Sequence, residues 1–87
     1  MDRVEIDETT VGMVGRERVP MGNMCRGTYT LADGSTADGW MCSLAIGGQV
    51  GVFVGVGSEV EIGGQRWAVV RIDKESGQLG SVTLEKR

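Results

Sequence analysis

Closely spaced glycine-rich turns constrain this chain more than any other feature of its sequence. Runs rich in Val, Ile, Thr and aromatic residues are interrupted by the segments ADGS, GGQ, GSE, IGGQ and DKESGQ. Turn signals at a spacing of about 8–12 residues are typical of all-β sandwiches and barrels. No stretch keeps helical periodicity over three turns. We therefore predict strands near residues 3–7, 11–20, 24–32, 36–46, 50–56, 59–62, 65–73 and 80–86.

The length and the uninterrupted β texture predict a single all-β domain over residues 1–87. No linker or low-complexity tract divides the chain. The expected architecture is a small antiparallel β-barrel or rolled sheet with SH3-like or OB-like closure. Pro20 is the only proline, and it cannot donate a ladder hydrogen bond, so we expect it at an edge or at a strand end.

The first hairpin is predicted from Asp33-Gly34, a dipeptide that favours a two-residue turn between β-prone runs. Such a turn sets Cys25 opposite Cys42, at a distance short enough for either a thiol pair or a disulfide. A reducing cytoplasm favours the free thiols. The buried face of this hairpin would also carry Tyr29, Trp40 and Leu44.

The second hairpin is predicted to turn through the three-residue loop 47–49, with a glycine in the left-handed region. This loop sets Leu44 opposite Val52 and Cys42 opposite Val54, and it turns four valines, at 50, 52, 54 and 56, toward the core. Burying each valine is worth about 1.5 kcal/mol or more, which outweighs a small turn preference.

The other face of that strand reads Gly51, Phe53, Gly55. Glycine weakens a strand interior, so two of them indicate strong coiling in a small barrel, or close approach of a ligand or partner. A strand without charge is an aggregation hazard at a sheet edge. We therefore expect Phe53 to be buried, by barrel closure or in a homodimer interface.

A third hairpin leaves two registers open around Gly63-Gly64. A two-residue turn sets Trp67 beside Val60, whereas a three-residue turn sets Ala68 there. We favour the two-residue turn.

Composition argues against most chemistry. The chain has no histidine, which removes the commonest general base and the commonest zinc ligand. Its two cysteines do not form a CxxC motif. We therefore expect no catalytic residue, no metal, no cofactor and no enzyme activity.

Charge and hydropathy narrow the partners further. A net charge of −3 and an isoelectric point near 4.8 argue against nucleic-acid binding, which needs a basic footprint. No apolar window is long enough to span a membrane. The charged N-terminal segment lacks the apolar core of a secretory signal, so we expect a cytoplasmic protein.

The segment VGSEVEIGGQRWAVVRID resembles a recurring pattern of small bacterial β-barrels, in which G-x-x-V-x-I-G-G precedes a W-x-V-V-x-I strand. It is also similar to uncharacterised small proteins of high-GC bacteria. The resemblance is confined to the C-terminal third of the chain, and it implies a fold without a catalytic motif. The bias toward arginine over lysine is typical of GC-rich genomes and points to a bacterium or its phage.

Elimination leaves a non-catalytic β module that binds or assembles with a protein partner, and a homodimer is among the expectations. One alternative is a phage or mobile-element inhibitor of a host protein. Another is a small-ligand-binding barrel that uses Trp67, Phe53 and the strand glycines. The candidate contact residues are Phe53, Trp67, Arg16 and Arg18.

Overall fold

The chain folds into two antiparallel sheets of four strands each. The computed structural model describes residues 2–47, 51–75 and 77–87, and these ranges contain eight strands and no helix. The all-β, antiparallel prediction is confirmed. The strands are β1 (Arg3–Asp7), β2 (Val11–Val14), β3 (Glu17–Thr30), β4 (Thr36–Leu44), β5 (Val52–Gly55), β6 (Glu59–Ile62), β7 (Gln65–Asp73) and β8 (Ser81–Lys86).

In the sequence, the four strands of one sheet lie between the first and second strands of the other. Sheet 1 has the order β1-β8-β7-β6 and sheet 2 the order β2-β3-β4-β5, so the chain crosses between sheets after β1 and again after β5. Neither sheet closes on itself, and closure into a barrel is therefore not confirmed. Inward side chains of both sheets form one apolar cluster, in which Leu44, Cys42, Val82 and Leu84 are completely buried.

Two of the three predicted hairpin registers are confirmed. Trp67 lies opposite Val60, across a turn in which Gly63 and Gly64 both have positive φ, at 59° and 79°. This is the two-residue turn that matches strand twist. Between β4 and β5, Leu44 lies opposite Val52 and Cys42 opposite Val54. Gly47 takes the left-handed conformation with φ of 62°, while residues 48–50 of the predicted loop lie outside the described residues.

The β3–β4 register is one residue away from our prediction, which was wrong. Of the two turn residues Asp33 and Gly34, Gly34 alone has a positive φ, 88°, whereas the expected turn needs a positive φ at Asp33 as well. The loop instead closes with a hydrogen bond of 2.7 Å from the Leu31 N–H to the Ser35 carbonyl, and Gly34 follows a tight turn that begins at Leu31. The loop therefore has three residues, 32–34, and each residue of β3 after the bulge pairs with a β4 residue one position away from the predicted one.

A bulge in β3 reverses which side chains point inward. The predicted strand 11–20 divides at a turn through Gly15 and Arg16, and β3 then continues to Thr30. The pairing of β3 with β4 shifts between Met21 and Met24. Before the bulge odd-numbered residues are buried, and after it Met24 is buried while Cys25 is exposed. The expectation that Cys25 and Tyr29 share the buried face is therefore wrong.

A buried carboxylate joins the bulge to sheet 1. Glu8 lies in the turn between β1 and β2, and its side chain is 5% exposed. Its Oε2 accepts the Met24 N–H at 2.8 Å, and its Oε1 accepts the Gly80 N–H at 2.9 Å and Lys74 Nζ at 2.7 Å. These bonds lower the pKa of Glu8 from 4.5 to about 2, with the Lys74 bond the largest cause.

Lys74 extends this network to an aromatic ring. Its ammonium lies 5.9 Å from the centre of the Trp40 ring, and the Arg26 guanidinium lies 5.4 Å from the same ring. Both distances are within the range of cation–π attraction. Trp40 is half-buried and packs against the core, so the ring links the charged corner to the apolar cluster.

We predict that Leu44→Ala lowers the free energy of unfolding by about 2–5 kcal/mol, because it leaves a cavity in the packed core. Leu79→Ala is the matched control, since Leu79 is 72% exposed while Leu44 is 0% exposed. Urea unfolding of both variants measures the difference. Equal losses for the two leucines would contradict the observed core.

We predict that acidification destabilises the protein through Glu8. Its folded pKa is depressed, so its stabilising contribution is present above the unfolded pKa of about 4.5 and is lost as pH falls toward 2. Melting temperatures measured from pH 7 to pH 2 should therefore depend less on pH in Glu8→Gln than in the wild type. Glu85→Gln is the control, because Glu85 also has a lowered pKa but lies on the exposed surface of β8.

Candidate functional site

The two sheets present outer faces of opposite character. The outer face of sheet 1 is charged and carries ion pairs between neighbouring strands, including Arg3–Glu85 at 2.7 Å and Arg66–Glu59 at 3.5 Å. Such a face is satisfied by water and needs no covering layer. The outer face of sheet 2 differs, and it is the stronger candidate for a binding surface.

We define the outer face of sheet 2 as the strand positions that alternate with its buried residues, together with Gly51 beside β5. Arg18 is its one charged residue, and it has no carboxylate. Val11, Met13 and Phe53 are 47%, 54% and 53% exposed. An uncovered apolar surface of this kind marks an interaction site more often than a scattered exposed residue does. The face comprises Val11, Met13, Arg18, Pro20, Gly22, Cys25, Gly27, Tyr29, Ala37, Gly39, Met41, Ser43, Gly51, Phe53 and Gly55.

Tyr29 explains one of the glycines on this face, Gly55. Its ring extends from β3 across Gly39 of β4 to Gly55 of β5, and its hydroxyl donates to the Val56 carbonyl at 3.2 Å. A Cβ on Gly55 would overlap the ring. The strand glycine is therefore required by the close approach of an aromatic side chain rather than by barrel coiling. Tyr29 was expected on the buried face, because the predicted β3–β4 register was wrong by one residue.

Phe53 is exposed, and its predicted burial by barrel closure is wrong. The phenyl ring is 53% exposed opposite Ser43. Val52 and Val56 are also exposed, at 42% and 46%, so their expected burial is wrong, whereas Val54 is 2% exposed. Phe53 points to the outer face of sheet 2, which no described strand covers, and Val52 and Val56 lie in or beside β5, a short edge strand.

The free edge of β5 has defined backbone donors and acceptors. Gly55 donates to Ser58 Oγ at 3.1 Å and accepts the Ser58 N–H at 3.0 Å, so its amide and carbonyl point away from β4. Because direction alternates along a strand, Phe53 presents its N–H and C=O groups to the same side, and continuing the alternation one residue beyond β5 places those of Gly51 there as well. Ser58, 2% exposed, thus satisfies the end of this edge.

The two cysteines lie on different sides of sheet 2. Cys25 is opposite Met41 and exposed, while Cys42 is opposite Met24 and buried. Both thiols are free. The predicted Cys25–Cys42 cross-strand pair is therefore wrong. Burial raises the pKa of Cys42 to about 12, so its thiolate is scarce at neutral pH.

A cleft of about 680 Å³ lies at one end of the two sheets, and Arg16 and Trp67 are among the residues that line it. Trp67 is 3% exposed and belongs to the core. Among the other lining cations, Arg3 pairs with Glu85 at 2.7 Å and Lys86 with Asp2 at 3.4 Å. Trp67 is on the inner face of sheet 1 and Phe53 on the outer face of sheet 2. A single ligand site that uses both residues is therefore wrong.

Within the ranges 2–47, 51–75 and 77–87, no three His, Cys, Asp or Glu side chains gather to hold a metal ion. The same part of the chain contains no helix with the length and apolarity needed to cross a membrane.

No protein-family model, curated protein or solved structure matches this chain. The resemblance of its C-terminal third to small bacterial β-barrels stays a prediction. Function must therefore be inferred from the surfaces themselves.

We predict that a maleimide reagent labels one cysteine of the native protein, Cys25, because Cys42 is buried and its pKa is raised. Mass spectrometry should detect a single adduct on the wild type and none on Cys25→Ser until denaturant is added. Intact mass should be the same with and without reductant, as expected for two free thiols. A mass lower by two protons without reductant would instead indicate a disulfide.

Proposed function

We propose that the protein is a non-catalytic binding module that assembles with another polypeptide through the outer face of sheet 2. The observation that carries this proposal is the contrast between the two outer faces. Sheet 1 has an ion-paired surface, whereas sheet 2 exposes Phe53, Met13 and Val11 with Arg18 as its only charge. Covering that face removes apolar area from water, at about 25 cal/mol per Å².

The glycines of this face favour a flat, close contact. Met41 lies over Gly27, and Tyr29 lies over Gly39 and Gly55, so the larger side chains of the face lie flat against the sheet. Tyr29 and Met41 are half-buried already, which limits the side-chain entropy lost on binding. Aromatic residues and methionine are enriched in protein interfaces for related reasons.

The charge of the face favours a partner surface that is apolar and neutral or acidic. Arg18 would lie at its rim, and no carboxylate of the face would be desolvated. An inhibitor of a host protein would use the same face, and only the identity of the partner would distinguish that role from an assembly role.

We predict that Phe53→Asp abolishes binding without unfolding the protein, because a half-exposed ring contributes little to the core. The test places a photoreactive phenylalanine analogue at position 53, and at the exposed position Leu79 as a control. Crosslinking in cells should give a discrete adduct from position 53 alone. Excess wild-type protein should compete for the adduct, and Phe53→Asp should not.

The melting temperature of Phe53→Asp should stay within about 4 °C of the wild type, which corresponds to less than about 1 kcal/mol. A discrete adduct that both competitors suppress equally would refute binding through this face, and so would the absence of any adduct.

A further inference from the structure

We infer that the edge of β5 pairs with β5 of a second copy of this chain, antiparallel about a two-fold axis at Val52. The inference rests on the proposed function, and it places the contact at the β5 edge of the outer face with a second copy as the partner. Strand β5 is the exposed edge of sheet 2, and it carries neither a charge nor a proline to prevent edge-to-edge pairing.

The backbone directions select the register of the pairing. Gly51 and Phe53 point toward the free edge, while Gly55 is already bonded to Ser58. An axis at Phe53 would set Gly51 against the partner's Gly55, whose groups are engaged. An axis at Val52 sets Gly51 against the partner's Phe53 and Phe53 against the partner's Gly51. That arrangement uses the free groups and forms two hydrogen-bonded pairs.

The same register is complementary in its side chains. Each Phe53 ring lies beside the partner's Gly51, which has no side chain of its own and only the small Ser43 side chain next to it, and an aromatic residue across from a glycine covers the exposed backbone. The two Val52 side chains meet at the axis as a non-hydrogen-bonded pair, the closer of the two pair types. A different partner strand would need an aromatic residue opposite Gly51 and a glycine opposite Phe53, whereas a second copy supplies both by symmetry.

Charge permits this contact and gives it a salt dependence. No charged residue occurs from Gly39 to Ser58, so no like charges meet along the paired strands. The carboxylate of Glu61 in β6 lies close to this edge, because Glu61 lines a shallow groove with Val52, Val60 and Ile46. Pairing brings one Glu61 from each copy toward the axis, and salt that screens this repulsion should strengthen the dimer.

The test is a symmetric disulfide at position 52. In a Cys25→Ser background, Val52→Cys should crosslink to a covalent dimer under mild oxidation, since the two residues at the axis have Cα atoms about 4.5 Å apart. Val11→Cys in the same background is the matched control. Val11 is 47% exposed and Val52 is 42% exposed, and Val11 lies on β2, the opposite edge of the same sheet. It should give no covalent dimer.

Light scattering without any crosslink gives the second readout. Wild-type protein should show a mass that rises toward the dimer with concentration and with salt, while Phe53→Asp should stay monomeric. Equal crosslinking at positions 52 and 11, or a wild type that remains monomeric at every concentration, would overturn the inference. A monomeric wild type that still gives a competed adduct of a different protein at position 53 would leave the proposed function standing. If the wild type shows neither a dimer nor a competed adduct at position 53, both proposals fail.

Discussion

The carboxylate of Glu8 is the interaction on which the rest of the structure depends. The chain leaves sheet 1 at this residue, and the side chain then bonds to Met24 in sheet 2 and to Lys74 and Gly80 at the two ends of the loop between β7 and β8 of sheet 1. Strand β2 begins at Val11, opposite Pro20, so Met24 has no neighbouring strand on that side to accept its N–H. Glu8 takes the place of that strand. A buried carboxylate with three donors keeps its charge at little cost, whereas an unbonded one would lose it.

The bulge held by this carboxylate decides what sheet 2 presents to solvent. One extra residue in β3 moves the alternation by one position. As a result, Met24 enters the core opposite Cys42, while Cys25 and Tyr29 turn outward. Tyr29 then lies across Gly39 and Gly55, and this order of large and absent side chains produces the flat apolar face. The apolar outer face is thus a consequence of a charged corner that lies on the other side of the sheet.

Local sequence patterns were sufficient to predict the strands and two of the three hairpin registers, but not the division into two open sheets. Gly63-Gly64 identified its own turn and the Trp67–Val60 pair, and the valine pattern identified the register of β5 against β4. The β3–β4 register failed because Asp-Gly is compatible with two loops of different length, and because the bulge depends on a carboxylate sixteen residues before Met24. The exposure of Phe53 was missed for a similar reason, since the sequence did not reveal that β5 would be an edge. Its candidacy as a contact residue came from the strand pattern alone.

Fold stability and binding are separable in this arrangement. Glu8, Lys74 and Trp40 form a corner on one side of β3, in which the ion pair is buried and Trp40 is half-buried, and this corner contributes nothing directly to the outer face. Phe53 and Val52 lie at an edge that contributes little to the core. Damage to the corner should therefore remove the fold and the binding face together, because the alternation of β3 would no longer be fixed. Damage to the edge should remove binding alone. An uncharged edge strand is a liability, because its unpaired backbone groups favour aggregation. Such a strand can be kept when a partner strand hydrogen-bonds to those groups.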